Sequence, residues 1–133
     1  MARPFFVCGA GQQAGFVAGL AGALKAEKIF TVNSADTTRD LILVDDVVEG
    51  LIRLALSREA RGEVVNVCSG KEFSMGKIAL AAHKIIDKGK VVLKHQNRPG
   101  DFLRSQGSNK KIKYLTGWKP TRPLAEILRS ALR

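Results

Sequence analysis

Three groups of residues in this chain have types and spacings that could do chemistry. The first is Gly9-x-Gly11-x-x-Ala14, which follows an apolar segment and precedes a helical pattern, with Asp36 further on. Glycines at such spacings let a backbone approach a pyrophosphate, and an acid about twenty residues later can hold a ribose hydroxyl. Gly9, Gly11 and Asp36 are therefore one possible dinucleotide cradle, although a tight turn feeding a helix explains the same residues. The second group is Arg39 and Arg98. A guanidinium fork matches phosphate oxygens in two-point contacts. Arg39 could equally pair with Asp36 or Asp40, and Arg98 could sit in a solvated turn before Pro99-Gly100-Asp101. The third is Asp45-Asp46, an acid or metal pair in principle, but two carboxylates opening a helix are accounted for by capping and the helix dipole. Cys8, Cys68, His83 and His95 are too scattered for a metal-ligand spacing or a disulfide framework, so no metal is expected. The cysteines read as small buried hydrophobes and the histidines as surface groups.

These residues need elements to position them. Arg3–Cys8 predicts a short apolar strand with Pro4 near its start. A helix follows to about Lys28, weakened by Gly15, Gly19 and Gly22 and so dependent on close packing. Ile29–Val32 predicts a strand, and Leu41–Val44 a strand covered on both faces. Asp45 is the expected N-cap of a helix running to about Arg58, with Val47, Val48, Leu51, Ile52, Leu54 and Ala55 as a wide buried face. Val64–Val67 predicts a strand, and Ser74 caps a third helix closing at Gly89. Val91–Leu93 is a strand and Asn97–Asp101 a loop. A short helix capped by Ser108 stops at Gly117, Trp118 plugs the junction, and a last helix capped by Thr121 carries Leu124, Ile127, Leu128 and Leu132. The fold class is α/β in a single domain over residues 1–133, with few short strands, four to five helices and a largely parallel but incomplete sheet.

At 133 residues the chain can bury a modest core, and 45% hydrophobic residues exclude a wholly disordered polymer. No apolar run approaches the roughly 18 residues that span a bilayer, and Met1–Phe6 lacks a signal peptide's apolar region. A reducing, cytoplasmic setting is the expectation, with no membrane contact. The net charge of +10 is uneven: residues 1–70 hold 7 basic and 8 acidic side chains, whereas residues 71–133 hold 15 and 4. The second half therefore faces an anion or an acidic neighbour. Lys88, Lys90, Lys94, Lys110, Lys111 and Lys113 could form a nucleic-acid patch, but aromatics make up only 6% of the chain, and a solvated basic face is favoured.

Five ordered segments carry a resemblance. Arg3-Pro4-Phe5 with Gly9-x-Gly11-Gln12 and Gly15-Phe16-Val17 is the first, and Arg39-Asp40-x-x-x-Val44-Asp45-Asp46-Val47-Val48-Glu49-Gly50 the second. Gly62–Gly70, Arg98-Pro99-Gly100-Asp101 and Leu115–Pro120 complete the set. Together they resemble the C-terminal part of an extended short-chain dehydrogenase/reductase, the nucleotide-sugar epimerase/dehydratase family. Within it, the Gly-x-Gly-Gln and Gly-Phe-Val stretch is most similar to GDP-4-keto-6-deoxymannose reductases. The resemblance implies a Rossmann-like fold whose N-terminal half carries the NAD(P) glycine motif and a Tyr-x-x-x-Lys catalytic pair. Neither is expected here, because Tyr114, the only tyrosine, has Trp118 four residues on. No catalytic residue is assigned, and no cofactor is expected on this chain alone.

What the resemblance does imply is a nucleotide-sugar site, with a GDP-type ligand favoured. Arg39 and Arg98 would contact the diphosphate, Asp101 would contact the nucleotide or orient the arginine loop, and Gly15, Phe16 and Val17 would lie along the nucleotide. Phe6 stands where the family usually has asparagine, Ala10 where it has proline, and Ser108 where it has an acid, so tight binding is not implied. Helices at residues 46–58 and 75–88 are expected to show bare apolar faces, covered in a homodimer or by a separately encoded N-terminal half. The rival functions are a small basic interaction protein for nucleic acid or an acidic partner, and a minimal dinucleotide binder at Gly9–Ala14.

Overall fold

Strands and helices alternate along the chain, in the order β1 (Ala2–Pro4), β2 (Phe6–Cys8), α1 (Phe16–Lys25), β3 (Ile29–Val32), β4 (Thr38–Arg39), β5 (Leu41–Leu43), α2 (Val44–Leu56), β6 (Val65–Val67), β7 (Phe73–Ser74), α3 (Met75–Ile86), β8 (Lys90–Leu93), α4 (Lys110–Thr116) and α5 (Leu124–Ala131). The computed structural model describes residues 1–96 and 99–133. Three pairs run parallel: β1 with β6, β2 with β5, and β3 with β8. The fourth, β4 with β7, is antiparallel and sets Arg39 opposite Phe73.

β5 organises the interior. Its continuous apolar run predicts a doubly covered strand, and Leu41, Ile42 and Leu43 are all buried. Because side chains alternate along a strand, its two leucines and its isoleucine enter different cores. Leu41 and Leu43 join Leu20 and Leu24 of α1, Ile78 and Ala82 of α3, and Ile127 and Leu128 of α5. Ile42 joins Val47 of α2, Val65 and Val67 of β6, Ile112 of α4 and Trp118. Trp118, expected as a plug between the last two helices, is 1% exposed but sits in this second core with Ile112 of α4, whereas Ile127 and Leu128 of α5 belong to the first. A Cβ added at Gly50 would stand 3.1 Å from the Trp118 ring, so glycine is what lets α2 approach the indole.

Several boundaries differ from the sequence reading, each for a local reason. Arg3–Cys8 is two strands, because the chain changes partner at Phe5: the Phe5 N–H donates to Val67 O and the Phe6 N–H to Asp40 O. α1 stops at Lys25, since Glu27 turns left-handed (φ 58°) and returns the chain to β3 within three residues. α2 begins at Val44, with extended Leu43 at the N-cap position, so Asp45 is no cap. Asp45 and Asp46 instead occupy the first turn, where the dipole favours them. Asp46 is 3% exposed, and burial pushes its carboxyl above the usual range against the opposing pull of Arg122 and Thr121. Ser74 does cap α3, its Oγ accepting from the Lys77 N–H at 3.1 Å, but that helix closes on left-handed Asp87 before Gly89. Neither Ser108 nor Thr121 caps a helix: Asn109 precedes α4 and Pro123 precedes α5, without side-chain capping bonds. Gly117 ends α4 in the left-handed conformation (φ 70°) as expected.

The wide buried face assigned to α2 is only half buried. Val47 is covered, whereas Val48, Leu51 and Ile52 are exposed. The bare face expected on α3 is reduced to Leu80 and Ile85, because α1 and α5 cover the rest.

Candidate functional site

A cleft of about 260 Å³ opens between the start of α1, β3, the turn after it and β4. Phe16 and Phe30 form one wall, meeting edge to face with centroids 5.6 Å apart. Asn33, Ser34 and Asp101 supply polar groups, and Arg39 on β4 also lines the cleft. The cleft thus gathers Phe16, Arg39 and Asp101, three residues far apart in sequence that the sequence reading assigned to a nucleotide.

The Arg39 guanidinium is fixed by its Nη1, which donates to Thr38 O at 2.7 Å and to Phe102 O at 2.8 Å. Its Nε and Nη2, the side-on edge of the fork, have no hydrogen-bond partner among the described residues. Neither acid suggested as a surface partner takes it. Asp36 accepts from or pairs with His95 Nδ1 at 2.7 Å, and Asp40 is fully buried elsewhere. A planar cation anchored at one edge and open at the other is suited to a bidentate anion.

The Arg39 anchor depends on the segment carrying Phe102, which is held at several points. Thr38 N–H donates to Leu103 O at 3.0 Å. Arg104 pairs with Glu72, which also accepts from Thr38 Oγ1, and these partners hold the Glu72 carboxyl below its usual range. The Asp40 carboxylate accepts from the backbone N–H groups of Ser69 (2.8 Å), Gly70 (2.9 Å) and Gly107 (3.0 Å), and from Ser69 Oγ (2.6 Å). Four donors thus satisfy the buried carboxylate. It ties the start of β5 to the turn after β6 and to the 107 region. Sequence reasoning treated Asp40 only as a surface partner for Arg39.

The other assigned residues divide. Asp101 Oδ2 accepts from Ser34 Oγ at 3.2 Å on the cleft rim. Gly15 occupies the N-cap position of α1 with φ 93°, a conformation that needs glycine. The Val17 side chain is 1% exposed and belongs to the core, so only its backbone is left to face a ligand. Arg98 lies outside the described residues. Phe30, Asn33, Ser34 and Thr37 line the cleft without having been singled out. The alternation in β3, which puts Phe30 and Val32 on one side, was the available signal for Phe30.

The glycine turn does not make a dinucleotide cradle. Such a cradle needs the strand after the helix to return beside the first strand, but β3 pairs with β8 while β2 pairs with β5. A Cβ at Gly9 would collide with the Val44 side chain, so that glycine serves the close approach of β2 to α2. Asp36 is engaged by His95. The Gly9–Ala14 turn therefore lacks the strand arrangement that a dinucleotide cradle needs. Among the described residues no three metal-ligating side chains cluster, and no helix is long and apolar enough to cross a membrane. Of the lysines considered as a basic patch, Lys111 pairs with Glu63 and Lys88 with Glu27.

Residues 1–68 match the sequence model of the NAD dependent epimerase/dehydratase family. The chain is 33% identical to GDP-6-deoxy-D-mannose reductase of Pseudomonas aeruginosa, over 99% of this chain and 46% of that protein. It is 34% identical to UDP-glucose 4-epimerase of Mycolicibacterium smegmatis, over 86% of this chain and 36% of that one. Among solved structures, an epimerase from Methanothermobacter thermautotrophicus superimposes with a TM-score of 0.91 at 25% identity, over 99% of this chain and 41% of that one. RMD from P. aeruginosa, complexed with NADPH, gives 0.84 at 29% identity, over 98% and 45%. The chain spans less than half the length of these relatives.

Proposed function

Because the chain belongs to the NAD dependent epimerase/dehydratase family, we propose that it is a nucleotide-sugar-binding segment whose diphosphate seat is Arg39. The observation that carries this is the open Nε–Nη2 edge of Arg39, a residue that lines the same cleft as Phe16 and Phe30. Two aromatic rings supply an apolar wall for a nucleoside, and Asn33, Ser34 and Asp101 supply donors and acceptors for its polar edges. The similarity to a GDP-sugar reductase favours a GDP-type ligand.

Chemistry on the sugar is assigned elsewhere. The family's hydride transfer uses NAD(P) and a proton donor beside the carbonyl. These 133 residues contain no Tyr-x-x-x-Lys pair, and the Gly9–Ala14 turn is shaped by packing against Val44. In this reading these residues hold the nucleotide sugar, and a cofactor-binding half of the family's fold supplies the reaction.

Titration calorimetry of the chain with GDP, UDP and guanosine tests the binding. GDP is expected to bind measurably more tightly than guanosine. Equal or absent binding of both refutes the diphosphate seat. Steady oxidation of NADPH by this chain alone with a 4-keto nucleotide sugar would refute the non-catalytic assignment.

A further inference from the structure

Glu72, the residue before β7, carries a carboxylate that the ligand contacts proposed above leave unused. Its side chain is 21% exposed, whereas that of its partner Arg104 is 71% exposed. The carboxylate accepts from two segments at once. On one side, Thr38 Oγ1 of β4 donates to its Oε2 at 2.5 Å. On the other, Arg104 makes a two-point contact, Nε to Oε2 at 3.2 Å and Nη2 to Oε1. An ion pair this open adds little to stability by itself, so its place in the fold matters more than its strength.

Both segments lead to Arg39. Thr38 is its neighbour in β4, and β7 sets Phe73 opposite Arg39 itself. Arg104 follows closely on Phe102, whose carbonyl O accepts from Arg39 Nη1 at 2.8 Å, and between them Leu103 O accepts from the Thr38 N–H at 3.0 Å. The other carbonyl on Nη1 is that of Thr38, at 2.7 Å. Glu72 therefore links the residues that carry both carbonyls, Thr38 directly and Phe102 through Arg104. A guanidinium fixed at Nη1 has its remaining edge oriented before a ligand arrives, and ordering done in advance is not subtracted from affinity.

We propose that Glu72 is a positioning residue for Arg39: it holds the two carbonyls that orient the guanidinium, and so raises affinity for a phosphorylated ligand without touching it. This role rests on the Arg39 diphosphate seat. Its sign is diagnostic. By charge alone, a carboxylate beside an anion site repels the ligand, and removing it should tighten binding. Positioning demands the reverse.

Titration calorimetry of the full chain with GDP and guanosine tests the role. Glu72→Gln keeps the size and removes the charge, and GDP is expected to bind about three- to tenfold more weakly, the cost of ordering one released side chain on binding. Arg104→Ala, at an exposed position, frees the same segment and should weaken GDP to a similar extent, which supplies the same test should Glu72→Gln not fold. Guanosine affinity should change less than about twofold in both. In an Arg39→Ala background, Glu72→Gln should alter GDP affinity less than about twofold, because no fork remains to orient. Glu72→Gln that leaves GDP affinity unchanged or tightens it overturns the proposal. So does an equal weakening of guanosine and GDP, or an effect that persists without Arg39. Where Arg39→Ala weakens GDP and Glu72→Gln does not, the positioning role is refuted and the seat stands; where Arg39→Ala itself leaves GDP binding intact, both are refuted.

Discussion

Replacing Arg39 is the most direct probe of the cleft. In the unliganded chain its Nη1 is spent on Thr38 O and Phe102 O, at 2.7 and 2.8 Å, which leaves the Nε–Nη2 edge for a ligand. Two charge-assisted hydrogen bonds to a phosphate are worth about 1.5–3 kcal/mol each at full desolvation. The cleft is open and Arg39 only half-buried, so water competes and about 2–3 kcal/mol in total is expected. Arg39→Ala should then weaken GDP about 30- to 150-fold in titration calorimetry. Arg39→Lys keeps the charge and loses the fork, and about fivefold is expected. Guanosine has no phosphate, so its affinity should change less than about twofold in either variant. The two carbonyls released by the substitution lie near the surface, and the melting temperature should fall only slightly. If Arg39→Ala binds GDP within about threefold of the parent, or loses guanosine and GDP alike, the diphosphate seat is elsewhere.

Other consequences concern what holds the cleft. A Cβ at Gly107 would stand 2.5 Å from Cys68 Sγ and 2.8 Å from Phe5 Cζ, both packed around it, so Gly107→Ala should cost about 2–3 kcal/mol in urea denaturation. Ser74→Ala removes the only side-chain cap found at a described helix and should cost about 1 kcal/mol by the same measurement. Burial pushes the Cys8 and Cys68 thiols up to about 11, with the Asp40 charge adding at Cys68. An acid whose pKa is raised by folding ionises first in the unfolded chain, so this contribution is intact below about pH 8.5 and is lost as pH rises toward 11. The loss of stability between pH 8 and pH 10.5 should shrink in the Cys8→Ala/Cys68→Ala double variant. At pH 8 a disulfide reagent should label the native thiols far more slowly than the denatured ones.

Much of the frame was legible in the residues themselves. The apolar run at Leu41–Leu43 reads as a strand covered on both sides, although Val44, expected to extend it, opens α2 instead; Ser74 and Gly117 mark helix ends by local backbone chemistry that needs no distant partner. The alternation of strand and helix signals, and five ordered motifs, were enough to place the family and to bring Arg39, Asp101 and Phe16 forward. Other features depend on which segments meet. Asp40 looks like a surface acid in sequence, yet it is buried because Ser69, Gly70 and Gly107, dozens of residues away, converge on it. The apolar stripe of α2 reads as core by its periodicity, because periodicity reports a hydrophobic face and not what stands opposite it; only tertiary packing covers Val47 and leaves Ile52 and Leu56 bare. The glycine turn satisfies a dinucleotide pattern on paper, but a pattern fixes spacing along the chain, while the pairing of β3 with β8 is set by contacts across it.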